Sequence, residues 1–220
     1  VVAGYSMSAT GLSSTGAHQV AFGGDYDGFL GKFNAVGQLL WGTYYGGTGV
    51  DYLNFICLDR QQNIVFGGRS TSDSMMSNGS VFQLNYGGGT SWGDGILGKF
   101  NGSGTRLWSS YFGGLGEETI QGVSVDTSNA IFVCGSSTGS IGFSTSGVHQ
   151  SNFGGGSSDG FFAKFNSTGN RIRSSYLGGN NVDGINAIQA YPQGSGILLG
   201  FSSSSGLATT GTQQTMLSGA

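Results

Sequence analysis

The residues able to do chemistry in this chain recur at fixed positions. All three lysines, Lys32, Lys99 and Lys164, stand in one string, D-G-x-x-x-K-F. A ring of such ammonium groups would line a channel and hold an anion or a sulfated glycan. The simpler reading pairs each with an aspartate of its own unit, such as Asp59 or Asp126, or lays its stem over apolar surface. Asp25-Tyr26-Asp27-Gly28 clusters oxygens as calcium requires. Its counterparts, Trp92-Gly93-Asp94-Gly95 and Ser157-Ser158-Asp159-Gly160, keep one carboxylate, and no downstream Glu closes a loop. No metal is assigned, and Asp27, Asp94 and Asp159 read as turn-closing residues.

His18 and His149 share a position that Phe82 and Gln213 fill elsewhere. A catalytic imidazole would not accept Phe as its equivalent, and the many serines are compositional, so no Ser–His–Asp or Cys–His set is assembled. Glu117 and Glu118 are adjacent, which on a strand sends them to opposite faces. That argues against the paired carboxylates of glycoside hydrolysis. No catalytic residue and no cofactor follow from the sequence. Trp41 and Trp108 recur, with Arg173 at the third copy, and read as packing residues. Trp92 falls in a connecting loop, and with Tyr26 it is the candidate for stacking a sugar ring. Asn78-Gly79-Ser80, Asn101-Gly102-Ser103 and Asn166-Ser167-Thr168 fit the N-glycosylation pattern in predicted loops.

These residues are positioned by a repeat. DGFLGKFNAVGQLLWGTYYGG (27–47) returns as DGILGKFNGSGTRLWSSYFGG (94–114) and DGFFAKFNSTGNRIRSSYLGG (159–179), 67 and then 65 residues on. Each copy predicts four strands, in the first unit near 28–33, 38–45, 52–58 and 63–68, with Asn/Gly turns between them and no helix. A Ser/Thr/Gly-rich connection separates the units. The chain thus divides into a partial unit at 1–26, units at 27–93 and 94–158, and a unit with an unfinished connection at 159–220. Four-stranded antiparallel units of about 65 residues that cannot bury a core singly predict an all-β fold, a β-propeller built from such blades. A β-solenoid fits less well, its rungs usually being 20–30 residues. The recurrent apolar positions Phe29/Ile96/Phe161 and Phe33/Phe100/Phe165 are the expected inter-sheet core. Three full units are fewer than a closed ring needs, so open blade edges are expected to meet other subunits or a further part of the same chain.

Composition limits the function classes. Only 9% of the residues are charged, against about a quarter in ordinary domains, and the net charge is −3. The lysines are dispersed, which argues against nucleic-acid binding. No run of 18 apolar residues is present, which argues against membrane insertion by a helix. Cys57 and Cys134 fall at different repeat positions, which favours two buried thiols over a disulfide.

Tyr45-Gly46-Gly47 after the DGFLGKF string, a strand ending in Asp59 or Asp126, and then Asn63-Ile64-Val65-Phe66-Gly67-Gly68 resemble the SBBP family of β-propeller repeats. The resemblance covers nearly the whole chain and implies a large secreted or cell-surface propeller, generally without an assigned reaction. The chain departs from the family where a Pro-rich segment is usual, carrying 73–77 and 141–145 instead, and in the third copy, where Tyr191-Pro192 replaces the Asp turn. The expectation is a non-enzymatic extracellular module, structural or adhesive, with carbohydrate binding through loop aromatics as the alternative.

Overall fold

A computed structural model describes residues 1–74, 76–139, 143–209 and 211–214. The departure noted at 141–145 lies partly outside these residues, and so does the last part of the fourth connection, 215–220.

The chain is all-β; among the described residues the strands pair antiparallel and there is one short 3-10 turn, at Pro192–Gly194. The D-G-x-x-x-K-F string forms β2 (Asp27–Phe33) and leads through a tight turn into β3 (Leu39–Tyr45). Asn34 makes that turn: its Oδ1 accepts the N–H groups of Val36 and Gln38 at 3.0 and 2.9 Å. Gly37 supplies the left-handed residue at φ 81°. Asn101 and Asn166 repeat the arrangement in the turns of the hairpins β6 (Asp94–Phe100)/β7 (Arg106–Phe112) and β10 (Asp159–Phe165)/β11 (Arg171–Leu177).

The other hairpin of each unit is β4 (Asp51–Leu58)/β5 (Ile64–Ser70), β8 (Glu118–Val125)/β9 (Ile131–Ser137) and β12 (Asp183–Ala190)/β13 (Gly196–Ser202). Each carries a bulge at the same place, between Leu53 and Phe55, Ile120 and Gly122, and Ile185 and Ala187. In the third unit Tyr191 stands where Asp59 and Asp126 stood. The turn persists, because the Tyr191 N–H still donates to Ser195 O at 2.8 Å.

Strand pairing is out of phase with the sequence repeat. The sheets are β1-β2-β3, with β1 at Val2–Ser6, then β4-β5-β6-β7, β8-β9-β10-β11 and β12-β13. The unit 27–93 therefore contributes to two sheets: its first hairpin completes one and its second begins the next. Connection length is a poor guide here. The short link 46–50 crosses between sheets, whereas the long one, 71–93, stays within a sheet and runs along its outer strand. There Asn78 N donates to Ser109 O at 2.9 Å and Tyr111 N to Gln83 O at 3.0 Å. Gln19 and Gln150 serve β3 and β11 in the same way. The outer edges of β3, β7 and β11 are thus covered by their own chain, which removes the pairing hazard of a bare edge.

Successive sheets stack face to face, β1 and β2 on β4, β4 to β6 on β8, and β8 to β10 on β12. Leu30, Leu53, Phe66, Ile96 and Phe100 fill the first interface, while Leu97, Phe112, Val133, Phe161 and Phe165 fill the second. The expected core positions are buried where a sheet covers them. Phe100 and Phe165 are 0% exposed, but Phe33, on the uncovered side of the first sheet, is 42% exposed. Each large apolar side chain sealed between sheets contributes about 1.5–3 kcal/mol, so stability resides in the stacking.

Candidate functional site

The starts of β2, β4 and β6 and the ends of β1 and β5 lie at one end of the sheets, and a group of aromatic side chains gathers there. Tyr26 directly precedes β2, Tyr52 is the second residue of β4, and Tyr5 lies near the end of β1. The Tyr5 and Tyr52 rings are 4.1 Å apart between centroids, Tyr26 and Tyr52 5.6 Å, and Tyr5 and Tyr26 6.0 Å. Arg69, the cross-strand partner of Tyr52, places its guanidinium 4.5 Å over the Tyr52 ring and 5.5 Å from the Trp92 ring. It also donates to the Trp92 carbonyl at 3.2 Å. The result is a continuous strip, Tyr26–Tyr5–Tyr52–Arg69–Trp92, with Tyr5 51% and Trp92 55% exposed.

The loop bearing Trp92 is fixed by Glu117, whose carboxylate accepts the backbone N–H groups of Thr90, Ser91, Trp92 and Gly93 at 2.5–3.0 Å. Partial burial opposes the charge, but these four donors hold the Glu117 carboxyl below its ordinary value. Glu118, its neighbour, turns inward and is 1% exposed. The two carboxylates thus take opposite faces, and each has a structural task.

The strip does not repeat. Strand registers put Thr119 at the position of Tyr52, Ser136 at that of Arg69, and Gly93 and Ser158 at that of Tyr26. Tyr26 and Trp92, the two stacking candidates of the sequence, are brought onto one surface. Tyr5, Tyr52 and Arg69 join them unforeseen. The only signal in the sequence was that Tyr52 is bulky where the next copies carry Thr119 and Gly184, while Tyr5 and Arg69 share one repeat position that is small only at Ser136.

The other candidates resolve into structural roles. Asp27 and Asp51 bracket the sheet-to-sheet link. Asp27 Oδ2 accepts Gly23 N at 2.9 Å and the Gln19 amide at 2.8 Å, while Asp51 Oδ2 accepts Gly47 N and the Ser72 hydroxyl, each at 2.8 Å. A Cβ on Gly46 would lie 2.6 Å from the Asp27 carboxyl carbon and 2.9 Å from Asp51 Oδ2, so the link needs glycine there. The pairs Asp94/Glu118 and Asp159/Asp183 repeat the device. Burial, and secondarily the Glu118 charge, push the Asp94 carboxyl up to about 7 against the N–H of Gly87. Asp25 is exposed while Asp27 is buried, so the two do not converge as calcium ligands. Among the described residues no three His, Cys, Asp or Glu side chains come together as a metal set.

Trp41 and Trp108 lock neighbouring sheets, their indole N–H groups donating to Gly102 O and Ser167 O, each at 3.1 Å. Asn101 and Asn166 are half-buried turn formers, and Asn34 performs the same role without a glycosylation triplet. Asn78 pairs with Ser109 along β7. The structure does not bring the three acceptor sites together. Cys57 and Cys134 are both free thiols.

No family model and no curated protein matches this chain.

Proposed function

We propose that the chain is a non-enzymatic binding module in which the stacked sheets are blades of a β-propeller and the Tyr26–Tyr5–Tyr52–Arg69–Trp92 strip is a platform for carbohydrate. The observation that carries this reading is the contrast between scaffold and strip. Turns, bulges, di-glycine links and core recur from unit to unit, whereas the five contacting side chains do not. Aromatic faces held by a guanidinium present flat C–H-binding surfaces to a pyranose and keep a cationic donor beside them. The resemblance to SBBP repeats supports the propeller reading and, with it, an adhesive role outside the cell or on its surface.

A glycan array probed with the full chain and with Trp92→Ala tests it. Bound glycans whose signal drops at least tenfold in the variant, with an unchanged thermal midpoint, are the expected result. An array with no bound glycan, or one on which Trp92→Ala matches the parent, would overturn it.

A structural role has its own supporting observation. On β13, Ile197 and Leu199 are 59% and 67% exposed, at positions whose counterparts Val65 and Phe132, and Gly67 and Cys134, are buried. This surface suits a further blade or a second subunit. Sedimentation velocity of the chain against a Leu199→Lys variant tests it: association of the parent is expected, with loss in the variant.

A further inference from the structure

The loop that carries Trp92 is not a copy of its counterparts. Between the paired glycines and the strand-opening aspartate, the first unit has Asp25-Tyr26 and the third has Gly156-Ser157-Ser158. The second unit has the longer Gly89-Thr90-Ser91-Trp92-Gly93. In the short first loop the N–H groups of Asp25 and Tyr26 reach one backbone carbonyl, Gly49 O, at 3.2 and 3.5 Å. In the long loop the N–H groups of Thr90, Ser91, Trp92 and Gly93 all go to the Glu117 carboxylate instead.

The acceptor is as exceptional as the loop. Glu117 stands directly before the second carboxylate of its link, where the other copies have Val50 and Val182. Those valines bridge by backbone to Tyr26 and Ser158, and their side chains accept nothing. Long loop and acceptor thus occur together, in one unit of three. Glu117 is itself anchored on the following sheet, just beyond β9. Its N–H donates to Thr138 Oγ1 at 2.9 Å, and its carbonyl accepts Thr138 N at 3.0 Å. The loop leads into β6, so the carboxylate reaches from one sheet to its neighbour.

Such a loop needs a holder. Gly89 and Gly93 take φ of 84° and 73°, and fixing glycines costs more conformational entropy than fixing other residues. Bonds from backbone N–H to an ionised carboxylate belong to the stronger class and offset that cost. On the far side Arg69 donates to the Trp92 carbonyl at 3.2 Å, and its guanidinium is the cation that faces Glu117 from β5. Glu118 and the Tyr86 hydroxyl are the other titratable groups that feel the Glu117 charge.

We propose that Glu117 is the positioning residue of the aromatic platform, a carboxylate latch that seats 90–93 and thereby brings Trp92 onto the ligand surface beside Arg69. Its consequence for binding rests on the carbohydrate reading above, while its geometry does not. The latch extends a Tyr–Arg surface by one indole, in this unit alone. It is also sensitive to acid. The four donors hold the folded carboxyl below its ordinary value, so the latch is closed at neutral pH and opens as pH falls through that lowered value.

The test is amide hydrogen exchange at 90–93, paired with affinity for a glycan bound on the array, in Glu117→Ala with and without sodium formate. Formate can enter the vacated nest of N–H groups, whereas a small anion does not replace a side chain that only packs. Exchange at 90–93 is expected to rise at least tenfold in the variant, with strand amides unchanged, and to fall back in formate. Glycan affinity is expected to drop at least tenfold, as in Trp92→Ala, and to recover with the loop. Glu117→Gln keeps the side-chain length and covers the case in which Glu117→Ala fails to fold. It is expected to free the loop at neutral pH, where the parent stays closed. Unchanged exchange at 90–93 in the variants would overturn the inference, as would a loosened loop that formate does not reseat. Full glycan affinity in Glu117→Ala beside its loss in Trp92→Ala would also overturn it, leaving the platform reading intact. A parent that binds no glycan would end the platform reading alone, and exchange at 90–93 would still decide whether Glu117 seats Trp92.

Discussion

Lys99 Nζ lies 2.6 Å from Asp59 Oδ2, and the two side chains are 5% and 1% exposed. The pair joins β6 to the turn between β4 and β5 inside one sheet, although the two residues belong to different copies of the sequence repeat. Asp59 is also the acceptor that shapes its turn, taking Gln61 N and Asn63 N at 2.9 and 2.8 Å. Burial opposes its charge, but the ammonium of Lys99 and the turn donors hold its carboxyl below the ordinary value.

Removing one member of a buried pair leaves an uncompensated charge, which costs about 3–5 kcal/mol. Lys99→Met is therefore expected to destabilise the protein by about 3 kcal/mol in urea unfolding. Lys99→Met with Asp59→Asn should cost less than the sum of the two single changes. Strict additivity would show that the pair does not interact. Lys32→Met, whose ammonium only donates to Gly102 O at 2.8 Å from a half-buried position, is expected to cost under about 1 kcal/mol.

The Asp94/Glu118 pair gives the stability a pH dependence of unusual sign for a carboxylate. The folded Asp94 carboxyl titrates at about 7 and an unfolded one near about 4. Between those values the folded state holds a proton that the unfolded state has released. Stability from this group therefore falls as pH rises from about 4 to about 7. His18, pushed down to about 4, works in the opposite direction up to about 6.5, so the variant comparison isolates the carboxylate. Asp94→Asn should gain stability relative to the parent by about 2–3 kcal/mol between pH 5 and pH 8, read from urea midpoints. A difference that stays flat across that range would refute the assignment.

Backbone approach at the repeated bulge is closer than any side chain tolerates. A Cβ on Gly68 would sit 1.8 Å from Tyr52 O, and one on Gly135 1.8 Å from Thr119 O. Gly68→Ala and Gly135→Ala must push the paired strands apart, and each is expected to cost more than about 3 kcal/mol or to prevent folding. Gly31, whose nearest neighbours to a Cβ lie at 3.4 Å, is the control, and Gly31→Ala is expected to stay within about 1 kcal/mol. Thermal midpoints of the three variants decide this.

Both thiols are pushed up to about 12, Cys57 by burial and then the Asp59 charge, Cys134 by burial alone. Thiolate is the reactive form, so modification by a disulfide reagent at pH 8 should be at least tenfold slower in the native protein than in urea. Equal rates would mean that the interfaces holding these cysteines open readily.

The repeat made much of the architecture legible. Strand positions, the Asn/Gly turns at Asn34, Asn101 and Asn166, the all-β class and the burial of Phe100 and Phe165 all follow from local pattern, because turn chemistry and alternation act over a few residues. The sequence by itself also pointed to Trp92 and Tyr26, as aromatic residues in connecting loops. It did not reveal which hairpins share a sheet. That depends on whether a di-glycine link or a long Ser-rich connection makes the crossing, and the carboxylate contacts that hold the link at Gly46 come from both of its ends. Nor did it reveal that Tyr5, Tyr52 and Arg69 meet Trp92. Those are contacts between residues tens of positions apart, and only the stacking of sheets brings them within reach of one another.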